Sequence, residues 1–98
     1  MVKSIGILNE EEAFNKLREM GYKDLYIWED SPGTSYNWHT HPNNEIRYIL
    51  KGTILIKVKE NNQIKEYLLK PGELLEVKQN TLHNAYTEEG VRYICGSK

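Results

Sequence analysis

Three histidines and one glutamate are the residues of this 98-residue chain whose types and spacing could do chemistry together. His39 and His41 are two apart, and in an extended strand alternate side chains share a face, so both imidazoles can point the same way while Thr40 turns outward. Pro42, Asn43 and Asn44 are turn formers, and Glu45 opens the next apolar run, Ile46-Arg47-Tyr48-Ile49-Leu50, so a reversal brings its carboxylate back toward the rings. His83 lies far enough along to come from another strand. Three imidazoles and one carboxylate suit one divalent transition metal ion, whether Fe, Ni, Mn, Co, Cu or Zn, with one or two positions open for water or substrate.

Strand parity extends the site. Arg47 and Ile49 share the face of Glu45, and an arginine there needs either an internal acid or an anionic substrate, because a buried unpaired charge is costly. Thr81 and Ala85 share the face of His83 and are small enough to leave space. The same parity turns Asn37 inward and Tyr36, Trp38 and Thr40 outward, and it gives Glu76 the face of Leu74, which could also be the inner one. Tyr36, Trp38 and Tyr48 would then form an outward aromatic patch, either buried in a homodimer or packed on an N-terminal helix, and Tyr26 and Trp28 share that ambiguity.

These residues carry a resemblance. Gly33, His39, His41, Glu45 and Gly52 match without a gap the first motif of the cupins, which runs Gly, five residues, His-x-His, three or four residues, Glu, six residues, Gly. In the second motif Gly72 and His83 fall in place, while Lys78, Asn80 and Thr87 replace the usual Pro, Gly and Asn; Asn80 can keep the left-handed turn that the glycine takes. The resemblance covers Gly33 to Cys95. It implies an all-β fold, the double-stranded β-helix or jelly-roll barrel, with the metal held by His39, His41, Glu45 and His83 inside one end. The segment from Glu45 to Gly52 also resembles acireductone dioxygenases, in which an arginine at the position of Arg47 holds the substrate's oxygens. The implied function is a metal-dependent dioxygenase acting on a small oxygen-rich metabolite. The alternatives are an isomerase or epimerase of sugars or keto acids, and a non-catalytic module that binds or senses a small molecule.

The elements that must position this site follow from the local pattern. Val2, Ile5, Ile7 and Leu8 suggest a short strand that joins a sheet edge or reaches to a second subunit. Asn9 reads as a helix N-cap, with Glu10, Glu11 and Glu12 in the first turn and a capping-box spacing to Glu12. Ala13, Phe14, Leu17 and Met20 form one apolar stripe, and Gly21 ends the short amphipathic helix. From Tyr22 onward, β-branched and aromatic runs alternate with turn residues. Strands are expected over 25–29, 35–41, 45–50, 53–59, 63–69, 74–77, 81–87 and 91–95, with hairpin turns at 60–62 and 70–72. The expected organisation is one domain over 1–98, an extension of 1–23 followed by a barrel of 24–98.

Composition narrows the partners. Thirteen Lys and Arg against fourteen Asp and Glu give a formal net charge of −1, with no basic block to neutralise a phosphate backbone, so nucleic acid is not expected. No run approaches the roughly 20 apolar residues of a membrane span, and the first 21 residues lack the pattern of a secretory signal. Cys95, the single cysteine, cannot form an internal disulfide. The expected setting is the cytoplasm, the expected partners a small-molecule ligand and a second copy in a homodimer. Cys95 reads as a small core or edge residue, and Asp24, Glu29, Asp30 and the glutamates at 10–12 and 88–89 as solvated charges.

Overall fold

The computed structural model describes residues 2–98 and contains, among them, one helix and nine strands in two antiparallel sheets. The five-stranded sheet runs in the order β1 (Val2–Ser4), β7 (Glu73–Val77), β4 (Glu45–Gly52), β9 (Val91–Ser97), β2 (Lys23–Asp30). The four-stranded sheet runs β3 (Ser35–His39), β8 (Leu82–Tyr86), β5 (Ile54–Glu60), β6 (Gln63–Leu69). The expected strands are all present, and β1 takes the sheet-edge option by pairing with β7.

The helix α1 (Glu10–Glu19) forms where its caps allow. Glu12 N–H donates to the Asn9 side chain at 2.8 Å and Asn9 N–H to the Glu12 carboxylate at 3.1 Å, which satisfies two of the free donors at the helix start. At the other end Gly21, at φ 94°, donates to Arg18 O and Tyr22 N–H to Leu17 O, the paired bonds of a Schellman cap that only a left-handed residue permits. Ala13 and Leu17 are fully buried against the five-stranded sheet. Burying a leucine side chain in this way stabilises by about 1.5–3 kcal/mol.

That docking gives the molecule two cores. Ile49, Ile54, Ile56, Leu69, Leu75 and Tyr93 pack between the sheets, while Leu17, Tyr22, Ile46, Tyr48, Leu74 and Ile94 pack between α1 and the outer face of the five-stranded sheet. Strands β4, β7 and β9 are therefore buried on both faces, which is why they read as nearly continuous apolar runs. Parity alone cannot say which face is inner, and one expectation is corrected on that ground. Glu76 shares the face of Leu74 as expected, but it is the helix-covered face, where Glu76 accepts a hydrogen bond from the Tyr22 hydroxyl. Tyr48 takes the second of its two expected placements: it is buried under the helix, donating to Gly6 O at 2.7 Å and accepting from Leu8 N–H at 3.1 Å.

Turn chemistry closes the barrel. Asn61 and Asn62 have φ of 51° and 62° and make the two-residue hairpin between β5 and β6. Asn80, at φ 60°, takes the left-handed turn before β8. At Gly52, φ is 78° and an added Cβ would lie 2.1 Å from Gly90 O, so both conformation and space require glycine where β4 meets the turn before β9. Asn80 N–H donates to His41 O and Gln79 N–H to Asn44 Oδ1, each at 2.8 Å, which ties the loop carrying His41 to the turn that launches His83.

Candidate metal centre

The imidazoles meet because β3 and β8 are neighbours. His39 stands directly opposite His83 in the antiparallel register, while Tyr36 stands opposite Ala85. Three positions separate Tyr36 from His39 but only two separate His83 from Ala85, so β3 carries a bulge at Asn37 and Trp38. The extra residue reverses the parity upstream of it. Tyr36 therefore points inward with His39 and packs on the inner core, against the outward placement expected from strict alternation. Strand β3 ends at His39, and His41 follows in the tied-down loop. Its ring still reaches His39 edge-on, with centroids 4.8 Å apart, and the centroid of His83 lies 4.3 Å from that of His39 and 5.1 Å from that of His41. One nitrogen from each ring falls within 4.8 Å of the others.

The outer nitrogens are fixed by carbonyls. His39 Nδ1 lies 2.6 Å from Asn37 O and His83 Nδ1 2.9 Å from Thr81 O. A carbonyl only accepts, so each Nδ1 carries a proton, and the neutral form of each ring has its lone pair on Nε2, the tautomer a metal requires. His83 is 1% exposed and its Nε2 has no partner, a buried polar atom that a metal ion would satisfy. Burial pushes the His83 pKa down to about 4. Burial also lowers that of His41, against the opposing pull of Glu45. Rings held neutral at pH 7 are competent ligands without first losing a proton.

Of the four expected ligands, three converge. Glu45 stands outside the trio, with Oε2 3.5 Å from His41 Nδ1. Arg47 faces inward as expected, opposite Leu75 and Cys95. Its guanidinium lies 5.6 Å from the centre of the Tyr93 ring, its Nε is buried with no hydrogen-bond partner, and among the described residues it makes no ion pair. The internal-acid reading of Arg47 thus finds no acid.

Beside the trio a cavity of about 470 Å³ opens between β2 and β3, the edge strands of the two sheets. Tyr26 and Trp28 from β2, Tyr36 and Trp38 from β3, and Tyr93 from β9 wall it; His39, His41, Glu45, Arg47 and Cys95 also line it. Asp30 had been expected to be a solvated charge and is not. It is 7% exposed, and its carboxylate accepts from Trp28 Nε1 at 2.9 Å, from the Tyr36 hydroxyl at 2.5 Å and from the Tyr93 hydroxyl at 2.8 Å. The signal was available: Asp30 shares strand parity with Tyr26 and Trp28. Glu10 is likewise not free, since it pairs with Arg92. Thr87, at the position where the second motif usually has Asn, is buried and structural, donating to Thr53 O at 2.7 Å and accepting from Gly90 N–H at 3.0 Å.

The fold has solved relatives. A conserved protein of unknown function from Streptococcus pyogenes superposes with a TM-score of 0.66 at 16% identity, covering 74% of this chain and 60% of that one. The cupin domain of Drosophila melanogaster CENP-C gives 0.68 at 10% identity, over 76% of this chain and 59% of that one. Oxalate oxidase in complex with the substrate analogue glycolate gives 0.66 at 18% identity, over 74% and 40%. This chain thus spans less than two thirds of the length of each, and identities this low establish the fold alone. No curated protein matches by sequence. The family model described as "Cupin domain" matches residues 26–95. With more than half of its length covered by that model, the chain belongs to the cupin family.

Proposed function

We propose that the chain is a metal-dependent enzyme that takes a small oxygen-rich metabolite, with His39, His41, His83 and, as fourth ligand, Glu45 holding one divalent transition ion. The observation that carries this reading is the buried, unpartnered Nε2 of His83 turned toward two further imidazoles, beside an arginine that no protein acid neutralises. A bound first-row ion would supply Lewis acidity and a template for an oxygen-chelating substrate and, if redox-active, a means of activating dioxygen. The chain's own residues do the rest. Arg47 neutralises negative charge on the substrate, and the carbonyls of Asn37 and Thr81 hold the ligand rings in orientation.

Dioxygenase-type oxidoreductase chemistry rests on the resemblance of the segment from Glu45 to Gly52 to acireductone dioxygenases. Isomerase or epimerase chemistry would use the same chelated enediol, and the glycolate held by the oxalate oxidase neighbour is of the same oxygen-rich class. The deciding experiment is elemental analysis of untagged protein beside His39→Ala and His83→Ala, followed by oxygen uptake with enediol substrates. Near one equivalent of iron or nickel, lost in both variants, is expected; unchanged metal content in the variants overturns the ligand assignment. Turnover of the enediol without oxygen consumption would move the reading to isomerase chemistry. The homodimer is part of this proposal, since Ile64, Leu68 and Tyr86 are large apolar residues left exposed on the four-stranded sheet. Light scattering that gives the mass of one chain at high protein concentration removes it.

A further inference from the structure

The cavity beside the imidazoles holds more than a metal site needs. The chain has two tryptophans, and both line this cavity, Trp28 being 49% and Trp38 40% exposed. Tyr26, at 54% exposure, stands with them. Large aromatic groups left in water at one mouth are a recognition surface more than a packing defect, since solubility and burial both disfavour the arrangement. A volume of about 470 Å³ suits a small-molecule ligand.

Arg47 sets the ligand's charge. The guanidinium lies over the Tyr93 ring, 5.6 Å from its centre, and its buried Nε–H has no partner. Arg47 lines the cavity, and its planar guanidinium, whose buried Nε–H has no acceptor within the protein, offers its Nη–H donors as the fork that a carboxylate fits with two parallel hydrogen bonds. The walls are held in advance. Asp30 takes the indole N–H of Trp28 and the hydroxyls of Tyr36 and Tyr93, and so ties aromatic groups from β2, β3 and β9 to one buried carboxylate. Side chains fixed before binding lose little freedom on binding, and a rigid aromatic slot favours a planar occupant.

We infer that this cavity is a subsite for small planar carboxylates, one ring wide, with the carboxylate on Arg47, the ring between the aromatic side chains of β2 and β3, and Asp30 as the positioning residue that holds the walls. The inference rests on the reading of the site as a substrate pocket and names the class of substrate, an unsaturated or aromatic acid rather than an aliphatic one.

Its test needs no metal. The metal-free chain is titrated with benzoate, acetate and benzyl alcohol while the Arg47 Nε–H and the Trp28 and Trp38 indole N–H resonances are followed by NMR. Benzoate should saturate and shift the Arg47 Nε–H, with acetate, which lacks the ring, and benzyl alcohol, which lacks the charge, each weaker by about tenfold or more. Arg47→Gln should weaken benzoate by about tenfold and leave benzyl alcohol unchanged, and Arg47→Lys, which keeps the charge without the fork, should lie between. Trp28→Leu should weaken benzoate and spare acetate. Equal affinity for benzoate and acetate, no saturation by benzoate, or an Arg47→Gln variant that binds benzoate like the wild type overturns the inference. His39→Ala separates it from the metal reading. If metal uptake is absent yet benzoate binding still requires Arg47, the subsite stands without the metal; if metal is taken up and benzoate is not bound, the subsite alone falls.

Discussion

The burial of His83 should make the metal-free fold sensitive to mild acid, with a magnitude that can be worked out. Burial lowers the pKa of this ring to about 4 in the native state, while an unfolded chain titrates it near 6.5. Between those values the unfolded state binds the extra proton, so stability is fully present above about pH 6.5 and falls as the pH drops toward about 4. At about pH 4.5 the unfolded ring is almost fully charged and the native ring mostly neutral, a difference of about 2.5 kcal/mol. His41, lowered in the same direction, adds to the loss. Urea unfolding followed by the fluorescence of Trp28 and Trp38 measures this directly. With the urea dependence usual for a chain of this size, the midpoint should fall by about 2 M between about pH 7 and 4.5. His83→Asn keeps a donor for Thr81 O but has no titrating ring, so its pH dependence should be shallower by about 2.5 kcal/mol across the same interval. If the wild type and the variant lose stability in parallel, His83 is not the group responsible and the account of its environment is wrong.

Three further outcomes follow from particular contacts. Asp30→Ala removes the acceptor of three donors, and because the Tyr93 hydroxyl is buried and cannot turn to water, the loss should be about 3 kcal/mol by chemical unfolding; less than about 1 kcal/mol would mean that the donors find other partners. Gly52→Ala should cost about 3 kcal/mol or more, because it combines a left-handed backbone with a Cβ against Gly90 O. Gly33→Ala, with a similar φ of 84° but open space around it, should cost only about 1 kcal/mol, and equal losses at the two glycines would refute the steric part of the argument. Cys95, whose thiol is pushed above its ordinary pKa by burial, should react with an aromatic disulfide at about pH 8 at least roughly tenfold more slowly in the native than in the unfolded protein, as followed by thiolate release.

Much of this protein is legible from local chemistry. The helix is written in the capping box of Asn9 and Glu12, the apolar stripe and Gly21, and the structure forms each of these bonds. The strands are written in alternating and apolar runs, and the hairpin in Asn61 and Asn62, because period and turn type are properties of a few consecutive residues. The convergence of His39, His41 and His83 was legible too, since a short spacing on one strand and a third histidine in a later one survive most errors of register.

Tertiary structure decided whatever depends on more than one strand. Only pairing with β8 shows the bulge that turns Tyr36 inward, because a bulge is a mismatch between two strands and has no signature in either alone. Only the docking of α1 shows that β4 and β7 are buried on both faces, so that Tyr48 and Glu76 meet the helix side. The role of Asp30 follows from the meeting of β2, β3 and β9 around one carboxylate, and the unpaired state of Arg47 from the register that sets Leu75 and Cys95 opposite it, an outcome of packing that no spacing along the chain records.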